Sequence, residues 1–291
     1  MADMYCPASP MRWIPVGTNV TLIVEHAVEQ VRHELMYRQV SVAAVRVLTS
    51  RMRRVTFRGA QLAGFNSPGF DDHVKLFFPR TGQRYPVLPI AGPDGPMPPA
   101  SGTASASRSY TPYRVDPHVQ TLDIDMVVHG DGIASDWVRR AQPGDVIGIG
   151  GPRRSFLVPK DAPWQLMVGD ETAIPAISRR LAQLPSHVEV TVVIEVADRA
   201  EQKALASCLD SEAQLRLIWL SRDGALAGTT CALQSAVREI EIPVSSRYVW
   251  GAGESRQMRA IRSYLRYDRG IGPESMRVTG YWTLGVANHV E

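Results

Sequence analysis

The chain has 291 residues, which is enough for two domains of ordinary size that each bury a core. Hydrophobic residues make up 44% and charged residues 21%, and no apolar run approaches the ~20 residues that span a bilayer, so we expect a soluble protein without a membrane partner. The net charge is +3, with 32 basic residues scattered among 29 acidic ones, which argues against nucleic-acid binding.

The cysteines argue against metal-based redox chemistry. Cys6, Cys208 and Cys231 are far apart and form no Cys-x-x-Cys pair, so we expect no disulfide framework, no metal site and no iron–sulfur cluster. Any redox chemistry must then use an organic cofactor. Residues 1–15 lack a basic start followed by an apolar segment, so we expect no secretory signal and a cytoplasmic location.

The amino-terminal half begins with short β-type segments. We assign no function to an extension over residues 1–39, within which residues 23–36 favour a short helix. The strands predicted next are residues 40–48, 54–58, 73–78 and 85–88, separated by turn residues. Residues 91–107 are rich in Gly, Pro, Ser and Ala, and they predict a surface loop.

The barrel-like pattern continues to about residue 150. Strands are predicted at residues 108–115, 122–129 and 146–149, with a short helix at residues 134–141. About six strands with one short helix are typical of a small antiparallel barrel. We therefore assign residues 40–155 to an antiparallel β-barrel domain.

Residues 156–291 show a different pattern, in which apolar strands alternate with amphipathic helices. The predicted strands are residues 165–168, 188–196, 215–220, 248–250 and 276–282. Predicted helices lie between them, at residues 174–184, around 233–240, and at 258–265 before Gly270. This alternation indicates a parallel sheet covered by helices on both faces, so we expect a two-domain protein, a β-barrel followed by an α/β domain.

The strand at residues 108–115 carries candidate ligand groups. In an extended strand, Arg108 and Tyr110 lie on one face, and Ser109 and Thr111 lie on the other. A guanidinium for phosphate, an aromatic ring for stacking and a hydroxyl for a ring heteroatom suit a flavin nucleotide. The alternative is an ordinary barrel strand with an exposed arginine and a packed tyrosine.

A glycine-rich turn precedes the short helix of the barrel. Gly130 and Gly132 follow His129, and Ala134 and Ser135 open the helix. Glycine backbone followed by the amides of a helix amino terminus can hold a pyrophosphate. A loop and helix cap without a ligand is the alternative.

Ligands of parallel sheets bind at the carboxyl ends of strands, so we examined the residues that follow each strand. Thr172 lies after the first strand, within Gly-Asp-Glu-Thr-Ala, and can cap the next helix. Glu195 or Asp198, after the second strand, could bind the ribose of NADH, whereas Arg199 could bind the 2′-phosphate of NADPH. The sequence does not choose between these donors.

Taken together, these segments resemble the siderophore-interacting protein family, the FAD-containing ferric-siderophore reductases related to ferredoxin–NADP reductases. The resemblance covers about residues 40–285. It rests on residues 71–79, Arg108-x-Tyr110-Thr111, residues 129–132 with 134–137, residues 148–156, 169–176, 195–198, 252–254 and 280–282.

The resemblance implies roles for the barrel residues. Arg108 would hold the FAD phosphate, Tyr110 would stack on the flavin, and Thr111 would bond near its reactive edge. His129 and Gly130 would line the ribityl chain and the ring through their backbone.

Further roles are implied at the pyrophosphate and at the donor. Ala134 and Ser135 would receive the pyrophosphate, and Thr172 would lie where nicotinamide meets the flavin. Tyr281 and Trp282 would close the pocket from the last strand.

The sequence departs from the family pattern at two places. Tyr113 replaces a usual arginine, and Thr283 and Leu284 stand where the family commonly has Arg or Lys. Those basic groups would attract an anionic ferric chelate. The candidate replacements for substrate binding are Lys75, Arg114, Arg153 and Arg154, with solvated surface residues as the alternative.

The expected function is an NAD(P)H-dependent ferric-siderophore reductase that uses FAD, without a catalytic acid–base pair from the protein. The alternatives are a flavin-dependent diaphorase or ferredoxin-linked reductase with another acceptor, and a non-enzymatic siderophore-binding module. We expect a monomer whose partner is a ferric siderophore. The sequence leaves the siderophore unidentified and leaves NADH, NADPH and ferredoxin open as donors.

Overall fold

The computed structural model describes residues 28–93, 95–130, 132–160 and 162–287. Its amino-terminal part contains eleven strands and one helix. They are β1 (Glu29–Arg32), β2 (Tyr37–Val47), β3 (Met52–Arg58), β4 (Val74–Phe77), β5 (Ile90–Gly92), β6 (Gly95–Met97), β7 (Ser107–Tyr110), β8 (Pro112–Asp116), β9 (Thr121–Val127), α1 (Ile133–Arg140), β10 (Val146–Gly150) and β11 (Arg154–Leu157).

Seven of these strands form an antiparallel, nearly closed barrel in the order β7-β4-β10-β2-β3-β9-β8. The two end strands, β7 and β8, are joined through Thr111 alone, so the barrel nearly closes at the segment with the candidate ligand groups. Two-stranded pairs, β1 with β11 and β5 with β6, lie outside the barrel.

The barrel core follows from the alternation of its strands. Val55 and Phe57 on β3 and Leu122 and Ile124 on β9 are fully buried. Trp137 on α1 stacks on Phe57, with ring centroids 6.2 Å apart, and so covers one end of the barrel. The first part of the chain thus forms a packed barrel, which is one wall of the site described below.

The second part contains a parallel sheet of five strands in the order β14-β13-β12-β15-β16. The elements are β12 (Trp164–Asp170), α2 (Ile174–Leu181), β13 (Glu189–Val196), α3 (Arg199–Leu205), β14 (Gln214–Ser221), α4 (Ala232–Arg238), β15 (Arg247–Glu254), α5 (Ser255–Ser263) and β16 (Met276–Trp282). A π-helical turn, Tyr264–Asp268, extends α5, and short 3-10 turns lie at Ala60–Leu62, Glu171–Ala173, Ala206–Cys208 and Pro273–Ser275.

The strand order reverses direction at β12. The chain moves outward from β12 to β14 and then returns to the other side of β12 with β15. In such sheets the crevice for a ligand opens at the carboxyl ends of the two strands where the order reverses. Gly169 on β12 and Ala252 on β15 are neighbours at that place.

The barrel and the sheet pack against each other. Phe70 meets Trp250 on β15 edge to face, with centroids 5.5 Å apart. Asp71 accepts hydrogen bonds from Trp250 Nε1 at 3.1 Å and from Arg277 Nε at 2.7 Å. Arg179 on α2 donates to the carbonyl of Pro112 at 3.1 Å, which holds the start of β8.

The amino-terminal helix prediction was wrong over the residues that the structure describes. Residues 23–27 lie outside them, and Glu29–Arg32 forms β1, which pairs with β11. Glu, Gln and Arg favour helices locally, but pairing with a strand more than 120 residues away decides the conformation here.

Three other boundaries also differ from the prediction. Residues 85–88 form no strand because Pro86 and Pro89 cannot donate to a ladder. The predicted loop at residues 91–107 contains the β5–β6 hairpin. The predicted strand at residues 108–115 is interrupted at Thr111, since Pro112 lacks an amide and a bulge follows it. Helix α3, which its cap Asp198 begins, was not predicted.

Candidate functional site

The segment Arg108–Thr111 lies where the barrel nearly closes and where α2 approaches it. Arg108 and Tyr110 are half-buried, Ser109 is exposed and Thr111 is buried. Burial raises the pKa of the Tyr110 hydroxyl above its ordinary value, and the charge of Arg108 opposes that rise. The guanidinium and the phenol ring are therefore close neighbours, as the strand alternation predicts.

The start of α1 offers open backbone. A Cβ atom added to Gly130 or Gly132 would meet nothing within 4 Å among the described atoms, and Gly130 has φ of 41°. No described side chain caps α1, in which Ala134 and Ser135 are buried. The Ser135 hydroxyl accepts from the His129 amide at 3.2 Å and donates to the His129 carbonyl at 2.9 Å. The Ser135 hydroxyl therefore ties the first turn of α1 to the backbone of His129.

His129 lies directly before this turn. Partial burial lowers the pKa of His129, and the positive charges of Arg139 and Arg108 lower it further. Arg139 Nη2 also donates to the Gly130 carbonyl at 2.7 Å. A guanidinium therefore lies close to the turn before an uncapped helix, an arrangement that suits a pyrophosphate.

The opposite wall is built at the carboxyl end of β12. Asp170 Oδ1 accepts from the Thr172 amide at 2.9 Å and from the Thr172 hydroxyl at 2.5 Å. Asp170 Oδ2 accepts from Trp282 Nε1 at 2.7 Å. Burial, together with the negative charge of Glu171, raises the pKa of Asp170 to about 6. One carboxylate thus connects two residues that the sequence proposed for the pocket.

Tyr281 presents a buried hydroxyl without a partner. Among the described residues, this oxygen makes no hydrogen bond of acceptable geometry. Burial and the charge of Asp71 raise its pKa, and Thr111 lies close enough to oppose the rise without reaching bonding geometry. Its ring meets Trp250 edge to face at 6.2 Å. A buried hydroxyl without a hydrogen bond is rare in folded proteins, and this one lies beside Thr111, one of the candidate ligand residues.

Glu195, near the end of β13, and Asp198, which follows that strand, both make contacts within the protein. Asp198 caps α3 by accepting from the amides of Ala200 at 2.8 Å and Glu201 at 3.0 Å. Glu195 is buried, 3.6 Å from Arg222, and accepts from the Thr230 hydroxyl. The ribose role that the sequence left open for Glu195 therefore conflicts with its internal ion pair.

Arg222 is a residue that sequence reasoning missed. Its guanidinium binds Glu171 in a bidentate manner, at 2.6 and 3.0 Å, and it is only 5% exposed. Arg222 directly follows β14, so the rule about carboxyl ends of strands could have indicated it.

The candidate substrate residues fall into separate places. Lys75 is half-buried on β4, across from Ser109, and Arg153 and Arg154 are exposed just after β10, the neighbouring strand. Arg114 is exposed on β8, across from Asp123. The structure therefore brings Lys75 near the pair after β10 and leaves Arg114 on a different strand.

Arg277 is a second basic residue that the sequence did not indicate. It lies on β16, 3.8 Å from the centre of the Phe156 ring, and its side chain is 32% exposed. Its partner Asp71 lies three residues before the start of β4, the strand that carries Lys75, so the two cations lie near the same part of the barrel.

Tyr113 also has a partner. The guanidinium of Arg54 lies 3.4 Å from the centre of its ring and binds Asp125 at 2.6 Å. A cation therefore lies beside Tyr113, although the sequence has no arginine at that position.

None of the helices in the described part of the chain has the length and apolar character needed to cross a membrane.

Sequence comparisons agree along the chain. The model of the siderophore-interacting FAD-binding domain matches residues 41–156, and that of the siderophore-interacting protein matches residues 162–285. An NADPH-dependent ferric-chelate reductase of Escherichia coli is 34% identical over 262 residues, covering 87% of this chain and 96% of the relative. The ferric vibriobactin reductase ViuB of Vibrio cholerae is 31% identical over 241 residues, covering 82% and 86%.

Solved structures show the same architecture. A siderophore utilization protein from T. fusca superposes with a TM-score of 0.82 at 39% identity, covering 91% of this chain and 99% of that one. A ferredoxin reductase of carbazole 1,9a-dioxygenase, at 14% identity and a TM-score of 0.61, covers 84% of this chain and 69% of that one and shares the fold. The sequence resemblance and the two-part fold are thus confirmed, and the chain belongs to the siderophore-interacting protein family.

Proposed function

We propose that the protein is an NAD(P)H-dependent ferric-siderophore reductase, with FAD held between the barrel and the parallel sheet. The observation that carries this proposal is the arrangement of two walls. Arg108 and the uncapped start of α1 belong to the barrel, whereas Thr172 and Trp282 belong to the carboxyl edge of the sheet, at the reversal of strand order. Matches to an FAD-binding domain and to named ferric-chelate reductases support it.

The barrel residues would bind the cofactor. Arg108 would bind a phosphate, the amides of Ala134 and Ser135 would bind the pyrophosphate, and Tyr110 would lie against the ring. Thr111, beside the buried Tyr281 hydroxyl, would supply a polar contact to a ring heteroatom. Bound FAD would supply a carrier that accepts two electrons as hydride and releases them singly, which nicotinamide cannot do with Fe(III).

The sheet residues would bind the electron donor. Thr172 lies in the 3-10 turn just before α2, and Thr172 and Trp282 both donate to Asp170 at the carboxyl end of β12. We place the cofactor domain at residues 40–155 and the donor domain at residues 156–291. The proposed reaction moves hydride and electrons only, so it needs no general acid or base from the protein.

The substrate would be a ferric chelate with oxygen donors. Reduction to Fe(II) weakens the binding of hard oxygen ligands and releases iron. Lys75, Arg153 and Arg154 would attract the anionic chelate, and Arg277, which is 32% exposed and pairs with Asp71, is a further basic residue on the sheet side.

The test is a set of anaerobic mixing experiments on the purified protein. The protein should be yellow, and its flavin absorbance should bleach with NADPH or NADH faster than with reduced ferredoxin. A colourless protein that takes up no FAD would favour a siderophore-binding module instead. A flavin reduced only by ferredoxin would favour a ferredoxin-linked reductase. Light scattering would check our expectation of a monomer.

A further inference from the structure

The side chain of Asp170 is surrounded by donors from three directions. Its two oxygens accept from the Thr172 amide, the Thr172 hydroxyl and the Trp282 indole, at 2.9, 2.5 and 2.7 Å. The carboxylate is 3% exposed. Both oxygens are therefore used as acceptors, an arrangement that suits an ionised carboxylate because it has acceptor sites on both oxygens and no hydrogen to donate.

The backbone around Asp170 makes room for it. A Cβ atom on Gly253 of β15 would lie 3.0 Å from Asp170 Oδ2, and Gly253 has φ of 159°. A Cβ atom on Gly169 would lie 2.3 Å from the Ala173 methyl. Gly253 thus leaves room for the carboxylate between β12, β15 and the indole, whereas Gly169 leaves room for Ala173 in the following turn.

The burial of the Asp170 carboxylate at this position is energetically unfavourable. Among the described residues it has hydrogen bonds but no salt bridge, because the nearby Arg222 is bound to Glu171 and Glu195. Burying a carboxylate without a cation is unfavourable, so such groups are concentrated at functional sites.

The indole of Trp282 depends on this carboxylate for its position. The edge of the indole ring lies close to Gly228, where an added Cβ atom would be 2.9 Å from Trp282 Cη2. The indole nitrogen donates to Asp170. Its backbone carbonyl accepts from the Ser255 hydroxyl at 2.9 Å, which fixes the main chain but not the ring.

We propose that Asp170 is a positioning residue that fixes Trp282 on one oxygen and the Thr172 hydroxyl on the other, and thereby sets the slot that receives the nicotinamide ring. This inference rests on the proposed function, because a slot for the nicotinamide ring between Thr172 and Trp282 presupposes that a nicotinamide nucleotide is the electron donor. Asp170 itself acts through these two residues. Its effect therefore falls on hydride delivery and spares the later electron transfer to iron.

The substitution Asp170→Asn separates the two contacts. The amide oxygen of asparagine still accepts from Thr172, while its NH₂ group opposes the indole NH, so the Trp282 contact is lost. We expect flavin reduction by NADPH or NADH to slow at least about tenfold, since small misplacements of reacting groups have effects of that size. FAD content, and reoxidation of dithionite-reduced protein by ferric chelate, should stay at the wild-type level.

Two further variants make the test specific. Trp282→Phe removes the same hydrogen bond from the other side, so it should slow flavin reduction, and the double variant should be no slower than the slower single variant. Asp116→Asn is the control, because Asp116 accepts from backbone amides in a surface turn, at 3.0 and 3.3 Å, far along the chain from the sheet.

A spectroscopic readout follows the contact without turnover. The indole NH signal of Trp282, identified by its loss in Trp282→Phe, should exchange slowly with solvent in the wild type and faster in Asp170→Asn. If Asp170→Asn or Trp282→Phe reduced the flavin at the wild-type rate, or if the two losses were fully additive in the double variant, the role assigned to Asp170 would be overturned. The proposed function would be unaffected by that result. A wild-type protein that neither nucleotide reduces would instead contradict the proposed function, and this assignment with it.

Discussion

At the scale of single residues, Arg108 is the group most directly tied to cofactor binding. Arg108 is half-buried on β7, and its Nη1 donates to the Ser107 carbonyl at 2.8 Å. We expect Arg108→Ala to weaken FAD binding by about 1.5–3 kcal/mol, because a charge-assisted contact to phosphate is lost. Fluorescence titration of apoprotein with FAD measures the change. Arg58→Ala, at the exposed end of β3, is the control, and equal affinities of the two variants would refute this role.

Asp170 gives a second prediction at this scale, on stability. Burial raises its pKa to about 6 in the folded protein, above the value in the unfolded chain. Its contribution to stability is therefore complete below the unfolded pKa and is lost as the pH rises through about 6. Relative to Asp170→Asn, the wild type should lose more than about 1 kcal/mol of unfolding free energy between pH 5 and about 7.5. Urea denaturation at each pH measures this, and parallel pH profiles would contradict it.

The sequence predicted some of these residues and not others. Arg108 and Tyr110 share one face of β7, as the alternation of an extended strand predicts, and Thr111 follows them directly in the chain. The contact between Asp170 and Trp282 joins residues 112 positions apart, and no local pattern reports it. Asp198 was predicted for the donor from its place after β13, but that place is also where a helix needs a cap.

At the scale of elements, the packing of α2 against the sheet depends on Gly169. A Cβ atom there would lie 2.3 Å from the Ala173 Cβ and 2.5 Å from the Ala252 carbonyl oxygen. We expect Gly169→Ala to lower the unfolding free energy by about 1–3 kcal/mol through overpacking. Gly132→Ala, which has open space and extended backbone, should change it by less than about 0.5 kcal/mol in the apoprotein. Similar losses in the two variants would contradict this packing.

Elements with strong periodicity were predicted well, and the others were not. The strands of the parallel sheet are continuous apolar runs, and α2 and α5 have apolar residues at helical spacing, so their positions follow from the sequence. The pair of β1 with β11 could not be predicted, because each strand is formed only by its distant partner. The break at Thr111 follows from Pro112, which has no amide hydrogen to donate, but the order of the barrel strands joins segments far apart in the sequence and no local pattern reports it.

At the scale of the whole molecule, buried contacts between barrel and sheet define the cleft. Asp71, on the barrel side, accepts from Trp250 and Arg277 of the sheet. We expect Asp71→Ala to lower the unfolding free energy by about 2–4 kcal/mol, because both donors lose a buried partner. Asp136→Asn affects only a surface pair with Arg139 at 3.1 Å and should cost less than about 0.5 kcal/mol. Urea denaturation that gives equal costs would show that this contact does not hold the two parts together.

The arrangement of the two parts was predicted from the change in pattern near residue 156, but the shape of the cleft was not. Composition and periodicity indicate a barrel and an α/β sheet. The way that Arg179 reaches the carbonyl of Pro112, and so holds β8 against α2, appears only in the folded chain. The cleft is therefore a property of the assembled molecule.

The most direct measurement of the central claim is a single-turnover experiment without oxygen. Protein reduced with one equivalent of NADPH or NADH is mixed with a ferric siderophore in the presence of an Fe(II)-specific chromogenic chelator. We predict that the yellow absorbance returns as about two Fe(II) ions are trapped per flavin, because a hydride carries two electrons and each Fe(III) accepts one. A reduced flavin that stays bleached in the presence of the ferric siderophore would contradict the account.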